Sequence, residues 1–227
     1  MREAEQRRRL LRAKQDLRRF GLLPFTDQAA PSLVTIIAGA PVSGSWWGHP
    51  AGQAIYQVGE ALESDPEVLV VRLWRGKLTL VHRRLWPALV RVGTARVQWQ
   101  MAGLTPGSRG LLTLIDRENL LRSDLLPKDF PAGPQGFRPA LRDLEERLLV
   151  LTRSVHTRSG AHAAEAESWR SWRSKARAGI YRGSVESAQL LLEQAAERLT
   201  PGVDPRRSLP WGPHGRRARR PKRPRSL

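Results

Sequence analysis

Residues 67–83 read EVLVVRLWRGKLTLVHR. Residues 67–74 and 77–83 are runs rich in Val, Leu and Trp, and the Arg75-Gly76 pair between them contains the glycine that gives a tight hairpin its positive backbone angle. The stretch predicts two antiparallel strands. Upstream, Ile55, Val58, Ala61 and Leu62 share one face of a helix that opens after Pro50 and stops at Ser64-Asp65-Pro66. Pro31 and Ser32 introduce a shorter apolar run, residues 33–38, as another helix. Residues 2–20 set Leu10, Leu11, Leu17 and Phe20 among charges at helical spacing, which suits a surface helix.

Helix, short helix, helix, strand, Arg-Gly turn, strand is the element order of a winged helix, in which the third helix enters a DNA groove and the hairpin lies beside the backbone. On that expectation Arg72, Arg75, Lys77, Arg83 and Arg84 dress the wing and contact phosphates, positioning a duplex without reading its sequence. The helix after Pro50 argues against sequence readout, because Gln53, Tyr56, Gln57, Glu60 and Glu63 stand on it with no Arg or Lys. The competing expectation is a winged helix that serves only as a protein-interaction module.

Lys and Arg number 39 against 21 Asp and Glu, a net charge of +18, and an excess of that size points to a polyanionic partner. Residues 1–20 hold a net +5 and residues 201–227 a net +8, so the 180 residues between them hold only +5. The C-terminal cations include Arg216, Arg217, Arg219 and Arg220, in a tail too polar to fold by itself. DNA is the expected partner, ahead of structured RNA. The absence of cysteine excludes disulfides, thiol nucleophiles, zinc fingers and iron–sulfur sites, and no cofactor or metal is expected. Apolar stretches are broken well short of the roughly 18 residues a spanning helix requires. The N-terminus is charged where a signal peptide is apolar. A cytoplasmic protein with no membrane contact is expected.

Gly44-Ser45-Trp46-Trp47-Gly48-His49-Pro50 sets two large aromatics side by side in a Gly-rich loop, where exposing both is costly. Either both indoles pack across the start of the next helix, or one of them stacks on a nucleic-acid base, which is worth about 1–3 kcal/mol. His156 and His162 bracket a polar segment expected to separate two helices. Two imidazoles across a turn can chelate a metal or handle protons, but no carboxylate stands between them and a helix-capping loop is the simpler expectation. Gln98-Trp99-Gln100 matches the Gln-apolar-Gln arrangement with which certain DNA glycosylases position water and sugar. Gln98, Gln100, His156 and His162 are therefore the candidate catalytic groups, and Trp46 and Trp47 the candidate nucleic-acid-stacking groups. Walker, dinucleotide-binding, His-Glu-x-x-His and Gly-x-Ser-x-Gly patterns are absent.

The chain divides into a basic N-terminal arm (1–20), a winged-helix-like domain (21–126), a Pro-rich connection (127–139), a helical part (140–200) and a disordered basic tail (201–227). Helices are expected at 85–92 and 111–126, then one carrying Leu141, Leu144, Leu148, Leu149 and Leu151, another over 163–178, and a last over 184–199 with Ser184 as its N-cap. The fold class expected is α/β and mostly helical: a winged-helix-like unit with one β-hairpin, followed by a helical C-terminal half. No internal repeat is apparent.

Gly21-Leu22-Leu23-Pro24-Phe25, Pro31-Ser32-Leu33, residues 44–50, residues 72–87 and residues 155–162 together resemble an uncharacterised bacterial family, itself similar to AlkZ-type winged-helix DNA glycosylases. The likeness spans residues 21–172 and leaves both basic ends outside. It implies stacked winged-helix subdomains and a DNA-repair setting, with damaged DNA as ligand and base excision as the reaction if the protein is an enzyme. In the glycosylases the Gln motif precedes the winged helix, whereas Gln98 and Gln100 follow the hairpin, so no catalytic role is carried over to them.

Overall fold

A computed structural model describes residues 2–126, 133–157, 160 and 162–213 of the chain. The first half runs α1 (Arg2–Phe20), β1 (Leu22–Pro24), α2 (Leu33–Ala38), α3 (Gly52–Glu63), β2 (Val68–Arg72) and β3 (Leu78–His82). Its sheet is antiparallel with order β1-β3-β2, and Val70 lies opposite Leu80 while Leu22 lies opposite Val81. The hairpin at 67–83 thus forms as expected. Its turn places both Arg75 (φ 52) and Gly76 (φ 68) in the left-handed region, closed by Lys77 N–H to the Trp74 carbonyl at 2.9 Å. Two successive positive φ angles match the twist of the flanking strands, at a cost of about 1 kcal/mol for the non-glycine residue.

Local chemistry accounts for the helices. Ser32 Oγ accepts from Thr35 N–H to start α2, and the His49 Nδ1 accepts from Ala51 N–H at 3.1 Å where α3 begins. Ile55, Val58 and Leu62 bury the inner face of α3. Gly59 admits the Phe25 ring, since a Cβ there would stand 3.0 Å from it.

α4 (Trp86–Gly93) and the single turn α5 (Gln98–Met101) lead into a second unit: α6 (Pro106–Glu118), β4 (Leu120–Arg122), α7 (Gly133–Glu146), β5 (Leu151–His156) and β6 (His162–Glu167). Here the structure departs from the sequence expectations. The helix expected to run to Leu126 ends at Asn119, whose left-handed backbone (φ 63) caps α6 and releases β4. α7 begins inside the expected connection and contains Pro139, while residues 127–132 lie outside the described residues. That helix ends at Glu146, and Leu151, expected on the same helix, opens β5. Residues expected to begin the next helix form β6, and α8 (Trp169–Ala176) starts only after the Ser168 cap. The expected all-helical C-terminal half therefore holds a second three-stranded antiparallel sheet, of order β4-β6-β5. Tertiary pairing is the reason: β6 is hydrogen-bonded on both sides, with Glu167 opposite Leu120 and Leu151, and that outweighs the helix preference of its Ala and Glu residues.

The protein is thus α/β with two small sheets, and the two halves repeat one connectivity. In each, a helix precedes the first strand, further helix (α2 and α3 in the first half, α7 in the second) precedes a hairpin, and the last strand sits in the middle. α9 (Val185–Leu199) returns to the first half and buries Ala188, Leu192, Ala195 and Ala196 against its core. One apolar core joins α1 to α4, the first sheet and α9; a second lies among α6, α7, β4 and β6. Residues 201–213, expected to be part of a disordered tail, pack back: Pro205–Ser208 form a short turn of helix, Leu209 is buried, and Trp211 Nε1 donates to Glu193 at 2.7 Å. No helix among the described residues is long and apolar enough to cross a membrane.

Candidate functional site

The face of α3 that carries no cation forms one wall of a groove. Tyr56, Glu60 and Glu63 follow one another at i, i+4 and i+7, which aligns them along the helix. Tyr56 donates its hydroxyl proton to Glu60, while Glu63 has neither a hydrogen bond nor an ion pair to any described residue. Desolvation in the groove, together with the neighbouring Glu60 charge, raises the Glu63 carboxyl above its ordinary value.

At the mouth of this groove Ser45 Oγ accepts from Trp47 N–H, setting residues 46–48 into a single helical turn. Trp46 packs half-buried against Phe25, with ring centres 5.6 Å apart. Trp47 then stacks on Trp46 at 4.2 Å and leans on Tyr56 at 5.6 Å. With both contacts made, Trp47 is still 64% exposed. Only one of the paired indoles is therefore core; the other is held out on an aromatic base.

The opposite wall comes from the hairpin and α7. Arg75, Lys77 and Arg142 line the same cavity of about 490 Å³ as Trp47 and Glu63. Arg142 is paired with Glu146, and Arg75 and Lys77 share the one carboxylate of Asp27, at 3.6 and 3.1 Å. Asp27 has no side-chain exposure and also accepts from Ala29 N–H, Ala30 N–H and Trp74 Nε1–H. Burial disfavours its charge, but the backbone donors and Lys77 outweigh that and hold the carboxyl below its ordinary range. Two cations on one carboxylate leave that part of the wall net positive.

The groove continues past Glu63, Arg72 and Leu78 into a neighbouring cavity of about 610 Å³ between the two sheets, where Arg153, Glu165 and His162 lie. His156 and His162 face each other across β5 and β6, ring centres 4.3 Å apart, and both are exposed. They lie on paired strands, not in a loop between helices. No group of three metal-ligating side chains occurs among the described residues.

The remaining expected site residues fall elsewhere. Gln100 is fully buried: its Oε1 accepts from Val97 N–H at 3.1 Å, and its Nε2 donates to the carbonyls of Val92 and Arg147 at 3.2 and 3.0 Å. Arg147 answers by donating to the carbonyls of Gln100 and Ala102 at 3.0 and 2.8 Å. Gln100 thus latches the two halves together, outside the groove, while Gln98 is exposed on α5. Gln100→Ala is expected to lower stability by about 1–3 kcal/mol in urea denaturation, since it leaves buried backbone groups unpaired; an unchanged denaturation midpoint would contradict the latch. Arg72 donates to Glu145 at 3.0 Å, Arg83 lies 3.8 Å from Glu67, and Arg84 donates to the Arg19 carbonyl at 3.0 Å. All five hairpin cations therefore have partners inside the protein. Arg216, Arg217, Arg219 and Arg220 lie outside the described residues.

No family model, curated protein or solved structure matches the chain. The groove residues that sequence reasoning passed over are Glu63, treated there only as a charge unsuited to DNA readout, and Arg142. Their convergence depends on the docking of α7 against the hairpin, for which no local signal exists.

Proposed function

We propose that the protein is a nucleic-acid-binding protein of two winged-helix-like units, which takes a locally unpaired strand into the groove between them and gathers the flanking backbone with its Arg-rich ends. The observation that carries this reading is Trp47, stacked on Trp46 yet 64% exposed, lining one groove with Arg75, Lys77 and Arg142. An indole held out of the core at this cost suits a planar ligand. The repeated strand order supports the winged-helix reading of both halves. DNA in a repair setting, the implication of the AlkZ-type resemblance, remains the favoured ligand ahead of structured RNA. The pairing of Arg72, Arg83 and Arg84 with Glu145, Glu67 and the Arg19 carbonyl narrows the expected contact to the groove, where Arg75 and Lys77 share one carboxylate, and to the chain ends.

Fluorescence anisotropy on a labelled 20-nucleotide single strand, over a salt series, tests the reading. Trp47→Ala is expected to weaken binding about 5- to 150-fold, the equivalent of about 1–3 kcal/mol for one stacked base. Removal of residues 214–227, which carry seven Arg and Lys, is expected to flatten the salt dependence, because each phosphate contact adds about 0.7 of a unit of log–log slope on a single strand. Equal affinity of the wild type and Trp47→Ala would overturn the proposal. Cutting after residue 213 keeps Leu209 and Trp211, which pack against the rest of the protein.

A second reading, a protein-interaction module, is favoured by one observation: every hairpin cation is already paired within the chain. A bound partner that survives nuclease treatment would select it.

A further inference from the structure

The groove brings three different chemistries onto one small volume. The exposed Trp47 indole lines it, Arg75 and Lys77 on the single Asp27 carboxylate make part of its wall net positive, and Glu63 lines it with its carboxylate unpartnered by any described residue. A ligand that satisfies all three must be flat, anionic and a hydrogen-bond donor. A nucleotide qualifies only when its base offers donors along an exposed edge. Thymine presents one N–H flanked by two carbonyl oxygens that a carboxylate repels. Guanine presents N1–H and the 2-amino group as two parallel donors, which match the two oxygens of one carboxylate.

We propose that the groove selects an unpaired guanine, stacked on Trp47, with its Watson–Crick edge donated to Glu63 and its phosphate facing Arg75, Lys77 and Arg142. This rests on the nucleic-acid reading above and adds to it the identity of the base. Glu63 suits the role because Glu60, four residues back along the aligned face, is already engaged by Tyr56. The duplex hides the same edge in base pairing, so the selection applies to single strands, loops and opened sites. Stacking without this edge contact tolerates any base.

The test uses the full-length protein and labelled 11-nucleotide strands of thymidine with one central guanine, inosine or thymine, read by anisotropy. Inosine differs from guanine only by lacking the 2-amino group. The guanine strand is expected to bind about tenfold more tightly than the inosine strand, within the range of a bidentate base contact, and the thymine strand more weakly still. Glu63→Gln is expected to erase the guanine preference while retaining binding that depends on Trp47; Glu63 makes no hydrogen bond or ion pair with a described residue and Gln is nearly isosteric, so the variant is expected to fold. Equal wild-type affinity for the guanine and inosine strands, with the dependence on Trp47 intact, would overturn the guanine assignment alone. Loss of the dependence on Trp47, or no binding to any strand, would overturn the nucleic-acid reading and the assignment with it.

Discussion

Asp27→Ala is expected to lower the unfolding free energy by about 3–5 kcal/mol, the range for removing one partner from a buried charged network. The side chain has no solvent exposure and accepts from two backbone amides, the Trp74 indole and Lys77, all near 3 Å. Truncation leaves the Trp74 N–H, itself fully buried, without a partner. Lys77 and Arg75 are each 40% exposed and can turn to water, so the cost falls on the core and not on the cations. The loss is a large share of the roughly 5–15 kcal/mol by which a domain is stable. Urea denaturation measures it, and a change below 1 kcal/mol would refute the central role of this carboxylate. The same group predicts an acid limb. Its folded pKa lies below the unfolded one, so its contribution is complete above about pH 4 and is lost as pH falls through the folded value. Asp27→Asn, which cannot titrate there, is expected to flatten the stability curve below pH 4.

Trp169→Ala is expected to cost about 3–5 kcal/mol. Trp169 opens α8, is 2% exposed, and packs against Gly93 at the end of α4 while its Nε1 donates to the Leu148 carbonyl at 2.7 Å. It thereby fastens the second half to the first. The approach to α4 demands glycine, because a Cβ at position 93 would stand 2.4 Å from the indole. Gly93→Ala is expected to destabilise the native protein by about 1–3 kcal/mol through this overlap. In the Trp169→Ala background the same change is expected to be neutral or stabilising, since the added methyl enters vacated space and alanine is the better helix former. Thermal or urea denaturation of the double-mutant cycle measures the coupling. Additive effects would show that the two residues do not share the contact.

The comparison of sequence with structure divides at α5, except that β1, whose residues read as a connection, becomes a strand only by pairing with β3. Residues 67–83 announce a hairpin because runs of Val and Leu flank an Arg-Gly turn, and the helices before it are announced by the Ser32 cap and by Pro50. These are local signals, and they survive in the fold. β4 and β6 carry no such signal. β4 is three residues long, and β6 reads His-Ala-Ala-Glu-Ala-Glu, a composition that favours helix. They become strands only because β5 and β4 flank β6 and supply its hydrogen bonds. The repeat of connectivity between the halves went unseen in the sequence for the same reason, since the residues that form the second sheet share no pattern with those of the first.

The candidate site divides similarly. The unusual Trp46-Trp47 pair and the charge at the chain ends are legible from residue order alone, because composition and adjacency need no third dimension. Gln100 matched a catalytic pattern by spacing, yet its amide is fully spent on backbone groups of both halves; a three-residue match says nothing about burial. His156 and His162 are cross-strand partners on β5 and β6, which brings their tilted rings within 4.3 Å of each other. The sequence by itself determined the first hairpin, its preceding helices, the basic termini and the presence of the Trp46-Trp47 loop, all of which depend on residues within about a dozen positions of one another. Only the tertiary structure decided the second sheet, the exposure of Trp47, the internal pairing of the hairpin cations and the meeting of Trp47, Glu63 and Arg142 in one groove, because these depend on segments distant in the chain, as when β4 pairs with β6, Lys77 with Asp27 and Arg72 with Glu145.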